Sequence, residues 1–299
     1  MNSQRVLFFS GVCFLGLVCS VFAQKGDATK SLGVLKESSN RDDLLRAGLT
    51  VIGSKDQSAI SELVKLLKDS GFLARIDSEK DYLDSKARAV YLVRKIAVLP
   101  ATQGEEALLD LEKDKVFTDN EYRLSEIIDA SALVDKPSGK VVEMLRRRAD
   151  SSANTIMAVR SLCRIHTSEA CDALQKLVLD PKLDSFGKEA WFTHFLIFVR
   201  YDPAVVKLYQ SLTDSKIARA ELREAIVASL FDYRPEVWYR DLERPKVPQF
   251  MDASTDVLKV LLQITESAGK LELEPRTKTA VLKARKEIEV LLKERQKKS

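Results

Sequence analysis

The stretch TIMAVRSLCRIHTSEACDALQKLVLDP, residues 155–181, contains two amphipathic segments joined by a short polar turn. The first segment is largely apolar and has small residues near its centre, whereas the second is a shorter run that ends at Asp180. Apolar residues recur in both at the three- and four-residue spacing of a helix that buries one face. The stretch therefore predicts a helix, a turn near His166–Ser168 and a second, antiparallel helix.

Similar pairs of segments recur along most of the chain. Each pair has an apolar segment with a small residue near its centre, followed by a short amphipathic run that ends in an aspartate. The aspartates recur at intervals of roughly 35 residues, at Asp69, Asp114, Asp150, Asp180 and Asp214. A loose period of this length is typical of stacked helix pairs, because their loops vary in length more than their helices do.

In this pairing and spacing the chain resembles the HEAT-repeat family, including its shorter lyase-type repeats, over about residues 40–243. The resemblance depends on the period, on first helices such as RAGLTVIG (46–53) and MAVRSLCRI (157–165), and on the closing aspartates. It implies an all-α, right-handed α-solenoid of about six antiparallel helix pairs. The period is loose and the proline of many HEAT first helices is missing, so armadillo and tetratricopeptide arrays stay open as alternatives.

Two local signals mark predicted helix starts. Thr118 and Glu121 have the spacing of a capping box, in which each side chain binds a free backbone N–H at the helix start. Asp202 followed by Pro203 has the pattern of an N-cap with proline at the first helical position. Both signals agree with the helix boundaries that the apolar period predicts.

The most aromatic segment, AWFTHFLIFV (190–199), is too short to cross a bilayer. Its large apolar side chains fall on two adjacent faces of a helix, with Trp191, Phe195 and Phe198 on one and Phe192, Leu196 and Val199 on the other. Two apolar faces indicate a helix packed between neighbours in the middle of an array. A ligand pocket lined by these aromatic side chains is the alternative.

The first 23 residues have the composition of a secretory signal peptide. Arg5 precedes an apolar run over 6–18, and 21–23 provide a small-residue cleavage signal that ends at Ala23. We therefore expect cleavage near Ala23 and a periplasmic or secreted location, with an uncleaved membrane anchor as the alternative. No other segment approaches the roughly 20 apolar residues of a membrane span, so no span is expected in the mature chain.

The mature chain divides into four parts. An N-terminal segment (24–39) precedes the HEAT-like array (40–243), and a linker with two prolines (244–253) leads to C-terminal helices (254–297). The last helix, over 275–297, has one narrow apolar stripe and is otherwise charged. One-sided amphipathicity is typical of the cap that closes a solenoid. The alternative is a helix that binds a partner or self-associates as a short coiled coil.

Composition and motifs disfavour several classes of function. The formal charge of +4, or +3 without Arg5, is too small to indicate a nucleic-acid partner. The two histidines, His166 and His194, are too far apart for a metalloprotease motif, and neither a nucleophile elbow nor a phosphate loop occurs. Cys163 and Cys171 lack the close companions of a zinc site. We therefore expect no catalytic, cofactor or metal site.

Cys163 and Cys171 are the only cysteines after the leader. They lie almost symmetrically about Thr167, near the end of one predicted helix and the start of the next. Antiparallel packing would bring their β-carbons within bridging distance, and an oxidising compartment favours a disulfide between them. The alternative is two buried free thiols in the helix interface.

An extended helical array without a catalytic set favours protein binding, because such arrays offer long concave surfaces. The HEAT resemblance implies that second helices line this surface, where the expected exposed residues have mixed charge: Glu62, Lys65, Glu106, Asp110, Glu143, Arg146, Arg147, Asp172, Lys176, Lys207 and Gln210. We expect the partner to contact Lys65, Arg146, Arg147, Lys176 and Lys207, together with Trp238 and Tyr239 at the end of the array.

These observations predict an exported, non-enzymatic scaffold or assembly factor that binds another protein of the cell envelope. One alternative, implied by the lyase-type resemblance, is an enzyme or enzyme subunit, with His194 and Tyr201 as the candidate pair. A deep apolar cavity beside His194 would favour this enzyme. A further alternative is a structural protein that self-assembles through 275–297.

Overall fold

The computed structural model describes residues 25–78, 81, 87–149, 152–182, 193, 195–232 and 249–297. Within these ranges the chain forms 15 α-helices, one short 3-10 helix and no β-strand. The all-α prediction is therefore confirmed for this part of the chain. The predicted leader, His194, most of the aromatic segment and the region around Trp238 and Tyr239 lie outside the described residues.

The helices follow the predicted segments closely, and the region 24–39 adds one more. Their bounds are α1 (Lys25–Glu37), α2 (Arg41–Ser54), α3 (Gln57–Leu67), α4 (Ser70–Ile76), α5 (Arg88–Ala97), α6 (Ala101–Leu111), α7 (Lys115–Thr118), α8 (Glu121–Ser131), α9 (Gly139–Arg148), α10 (Ser152–Ile165), α11 (Ser168–Leu179), α12 (Pro203–Asp214), α13 (Ala220–Phe231), α14 (Thr255–Ala268) and α15 (Pro275–Gln296). A 3-10 turn, Phe250–Asp252, precedes α14.

The helices pack in two series, each helix against the next. We call α2, α5, α8 and α10 the first-helix row, since each contacts its successor in that order. We call α3, α6, α9, α11, α12 and α14 the second-helix row for the same reason. The two rows also contact each other, as in the pairs α2–α3, α5–α6 and α10–α11. At the C-terminal end, α15 packs on both α13 and α14.

Helix starts follow the capping residues, with one correction. Asp202 accepts a hydrogen bond from Ala204 N at 2.9 Å and Pro203 opens α12, as predicted. The capping box at Thr118 is wrong, because Thr118 is the last residue of α7. Asn120 caps α8 instead, accepting a bond from Arg123 N at 3.0 Å.

Two of the repeated aspartates begin a helix instead of closing one. Asp69 accepts a hydrogen bond from Phe72 N at 2.6 Å and is the N-cap of α4. Asp114 accepts one from Val116 N at 2.9 Å and is the N-cap of α7. A short carboxylate at these points satisfies backbone N–H groups that the following helix leaves unpaired. Asp180 and Asp214, in contrast, lie at the C-terminal ends of α11 and α12.

Apolar side chains from both rows form two large clusters that meet at α8. One cluster draws its residues from 28–134 and the other from 124–288. Ile127 and Ala130 belong to the first cluster, whereas Leu124 and Ile128 belong to the second. Because α8 contributes to both, it is the helix through which the two halves of the core are joined.

The segment after 193 is largely buried, as its composition predicts. Leu196 and Ile197 are fully buried, and Phe195 and Val199 are half-buried against the second cluster. The chain is helical at Phe195 and Leu196 and forms turns over 197–200, so the predicted helix ends earlier than Val199.

Candidate functional site

The predicted partner-binding residues of the second-helix row are all exposed. They lie on α3, α9, α11 and α12, opposite the face that each helix buries: Lys65, Arg146, Arg147, Lys176 and Lys207. Of the other expected surface residues, Glu106, Asp110, Glu143 and Asp172 are exposed and Glu62 and Gln210 are half-buried. The helical period therefore assigns this polar face correctly.

Two pairs of charges on this face are formed within one helix. Lys65 Nζ lies 2.7 Å from Glu62 Oε1 on α3, and Arg146 Nη2 lies 2.7 Å from Glu143 Oε1 on α9. The hydrogen bond from each cation lowers the pKa of its acid, Glu62 or Glu143. Such pairs between exposed side chains three residues apart balance one cation with one acid on α3 and on α9.

Other contacts on this face join neighbouring helices. Lys68 pairs with Asp110 and so connects α3 to α6. The side-chain amide of Gln210 donates a hydrogen bond to Gln263 Oε1 at 2.8 Å and so connects α12 to α14. Contacts between successive helices of the second-helix row therefore also stabilise the polar face.

Arg147 has a contact that the sequence did not predict. Its Nη2 lies 3.0 Å from Oε1 of Glu112, a carboxylate that is 0% exposed at the end of α6. Arg148 binds the same carboxylate through Nε and the Glu112 carbonyl through Nη2. A buried carboxylate needs such partners, because an unpaired charge is costly away from water. Arg147 therefore supports the packing of α9 on α6 in addition to facing solvent.

An open groove of about 500 Å³ lies at the C-terminal end of α11. Its walls combine apolar and charged side chains: Asp172, Gln175, Lys176, Leu179, Asp180, Pro181 and Ile217. Ile217 lies in the turn between α12 and α13 and is 74% exposed. The rim of the groove therefore combines one exposed branched apolar side chain with charged side chains.

Lys176, which lines this groove, and Lys207 on the next helix differ from the other cations of this face. In the part of the chain that the structure describes, neither Lys176 on α11 nor Lys207 on α12 forms a hydrogen bond or an ion pair. Because α11 packs directly on α12, these cations lie on adjacent helices. Lys65 and Arg146 differ from these two lysines, because each forms an ion pair with a carboxylate on its own helix. The helical period predicted that both lysines are exposed. It did not identify Ile217, because a single isoleucine in a polar turn is a weak sequence signal.

Cys163 and Cys171 are two buried free thiols in the structure. Burial raises the pKa of Cys163, and the neighbouring Cys171 adds to that effect. Burial, together with the carboxylates of Asp202 and Asp172, raises the pKa of Cys171 to about 12. Thiols with raised pKa values are poor nucleophiles and metal ligands near neutral pH. The disulfide stays a prediction for an oxidising compartment.

Tyr201, the tyrosine of the enzyme alternative, has a structural contact. Its hydroxyl donates to the Leu230 carbonyl at 2.9 Å, and the Arg200 guanidinium lies 4.8 Å from its ring centre. Burial raises the pKa of Tyr201. The described residues contain no group of three or more His, Cys, Asp or Glu side chains that could hold a metal ion.

The C-terminal helix α15 buries one face and exposes the rest. Val281, Ala284 and Ile288 are buried, as the stripe predicts, and Leu291 is half-buried. Leu282 and Val290 are exposed on the remaining surface. The capping role of α15 and self-association through 275–297 both stay predictions.

The chain matches no protein-family model, no curated protein and no solved structure. The HEAT-like resemblance therefore stays a prediction from the residue pattern. None of the helices in the described ranges combines the length and the apolar composition that a membrane crossing requires.

Proposed function

We propose that this protein is an exported scaffold or assembly factor that binds another protein of the cell envelope. In this proposal the two rows are the two layers of a right-handed, HEAT-like solenoid, and the second-helix row lines its concave face. The signal-like leader supports export to the periplasm or the exterior. The succession of contacts α3–α6–α9–α11–α12–α14 supports an extended surface of the kind that stacked helix pairs offer.

The observation that carries the proposal is the groove on α11 and its surroundings. An exposed isoleucine, Ile217, lines the same groove as Lys176, which forms no ion pair with the described residues, and Lys207 lies on the next helix. An apolar side chain of a partner gains free energy by covering Ile217, whereas acidic side chains beside it would pair with the two lysines without breaking any internal ion pair. The preferred partner is therefore a protein surface with an apolar residue flanked by carboxylates.

The test compares recovery of envelope proteins by the mature chain and by surface variants. Tagged wild-type protein and its Ile217→Ser and Lys176→Glu/Lys207→Glu variants would be incubated with solubilised envelope from the source cell and analysed by quantitative mass spectrometry. We expect at least one protein to be recovered by the wild type and reduced roughly tenfold by either variant, as for residues at the centre of an interface.

The matched control is Val98→Ser. Val98 is also an exposed branched side chain, but it lies at the end of α5 in the first-helix row. The Val98→Ser variant should leave recovery of the partner unchanged. This result would show that the lower recovery by Ile217→Ser does not result from reduced surface hydrophobicity in general. Recovery that is the same for wild type and for both groove variants would overturn the proposal.

A further inference from the structure

Three arginines of the first-helix row converge on one buried carboxylate. Asp129 on α8 is 5% exposed and is surrounded by Arg94 from α5 and by Arg160 and Arg164 from α10. Glu126, one turn earlier on α8, also binds Arg94. The cluster therefore joins three successive helices of one row and lies apart from the groove on the second-helix row.

The contacts in this cluster are unequal. Arg94 Nη2 lies 2.8 Å from Glu126 Oε2 and 3.0 Å from Asp129 Oδ2, and Arg164 Nη1 lies 2.9 Å from Asp129 Oδ1. The closest approach of Arg160 to Asp129 is 3.7 Å from Nε to Oδ1, which is too long for a hydrogen bond. Arg160 is therefore held near the carboxylate by charge, while its N–H donors have no acceptor in the described residues.

Among the described residues, the cluster contains one positive charge more than negative charges. Three guanidinium groups, from Arg94, Arg160 and Arg164, face the two carboxylates of Glu126 and Asp129. The pKa of Arg94 is raised, because Glu126 and Asp129 outweigh the effect of burial. The pKa of Arg164 is lowered by burial and by the nearby Arg160 and Arg94, despite the contact with Asp129. Because Arg160 is the arginine without a hydrogen bond to either carboxylate, the surplus positive charge lies on the α10 side of the cluster.

Solvent reaches this side of the cluster. The side chains of Arg160 and Arg164 are 27% and 31% exposed, so both are partly desolvated but open to an incoming group. They lie four residues apart on α10 and therefore share one face of that helix. Two adjacent guanidinium groups with spare donors have the geometry that binds an anionic oxygen group through several charge-assisted hydrogen bonds.

We propose that Arg160 and Arg164 form a binding site for an anionic oxygen group, a carboxylate or a phosphate, on the outer side of α10. The ligand would balance the surplus charge and occupy the N–H donors that Asp129 leaves free. Asp129 would act as the positioning residue, since it holds Arg164 by a hydrogen bond and Arg160 by charge. This site is independent of the proposed protein-binding groove.

The test measures binding of two small probes to the full mature chain. Inorganic phosphate and N-acetylglutamate would be titrated by calorimetry at low ionic strength, with sodium chloride at matched ionic strength as the blank, because exposed charges are screened by salt. We expect millimolar or tighter binding of at least one probe to the wild type. Arg160→Gln should weaken it at least about tenfold, since it removes a charge-assisted contact and leaves both hydrogen-bonded arginines on Asp129.

Two further variants separate the site from general effects of charge. Arg146→Gln removes an exposed arginine of the second-helix row and should bind the probe as the wild type does. Arg160→Lys keeps the charge but loses the planar fork, and its affinity should lie between those of wild type and Arg160→Gln. Binding of phosphate alone would identify a phosphate group as the ligand, binding of N-acetylglutamate alone an acidic side chain, and binding of both the shared oxyanion chemistry. Absence of binding, or equal binding by Arg160→Gln, would overturn the proposal whatever the envelope recovery experiment gives.

Discussion

The charges of the first-helix row and those of the second-helix row use the same residue types in different ways. Around Asp129 the carboxylate is buried, the arginines are partly exposed, and the ion pairs connect α5, α8 and α10. On the outer face of the second-helix row, Lys65–Glu62 and Arg146–Glu143 are exposed pairs within single helices. Whether an ion pair stabilises the fold depends on its burial and on the number of helices it connects, more than on the residue types that form it.

Glu112 shows that burial, and not the row to which a helix belongs, distinguishes the two kinds of ion pair. It belongs to the second-helix row, yet it is fully buried and binds two arginines of α9. Its neighbour on the same helix, Asp110, is exposed and pairs with Lys68. A partner-binding surface is therefore expected where charges are exposed and form no ion pair with the described residues, as at Lys176 and Lys207.

The largest effect is expected from Asp129→Ala. This variant leaves the three arginines without the carboxylate that they share, and partly buried cations without a partner are costly. We expect the free energy of unfolding to fall by about 3 kcal/mol, measured by urea denaturation. Glu143→Ala, which breaks an exposed pair on α9, should leave that free energy unchanged. Equal losses for both variants would contradict the distinction between buried and exposed pairs.

A smaller difference is expected between two adjacent arginines. Arg147→Glu places a second carboxylate beside the buried Glu112 and should lower the free energy of unfolding by about 2 kcal/mol. The side chain of Arg146 faces solvent and pairs with Glu143. Arg146→Glu should therefore have no measurable effect on the free energy of unfolding. The same urea titrations measure both. If Arg146→Glu proves the more destabilising of the two, the assignment of Arg147 to the interface of α6 and α9 is wrong.

The smallest effect concerns Cys171, where α11 meets α10. Its folded-state pKa of about 12 lies above the ordinary value of 9.0, so the protonated thiol stabilises the fold below pH 9 and this contribution is lost as pH rises towards 12. Under reducing conditions the wild type should lose about 1 kcal/mol more stability than Cys171→Ala between pH 9 and pH 10. Parallel pH profiles of the two proteins would contradict a buried thiol at this position.

The helical period predicted most of the fold at the level of elements. The segment 42–53 became α2 (Arg41–Ser54), and 254–269 became α14 (Thr255–Ala268), because one apolar face per helix is a local property of the sequence. The same period placed Lys65, Lys176 and Lys207 on exposed faces. Capping was less certain, since Thr118 and Asn120 are both good N-cap residues and only one of them starts α8.

The candidate sites could be predicted only in part, because each depends on residues far apart in the chain. Glu112 lies in the charged run LEKDK and has the sequence context of a surface acid; its burial depends on Arg147 and Arg148 from the next helix pair. Arg94 and Arg164 are likewise each separated from Asp129 by 35 residues and meet it only because successive helices of the first-helix row pack on each other.

The sequence by itself determined that this chain folds as amphipathic helices in pairs and which face of each helix meets water, because both follow from the spacing of apolar residues along a few turns. The tertiary structure decided which charges are buried together and which are left without partners. That outcome depends on how closely successive helices approach and on the water they exclude, and no local pattern encodes either.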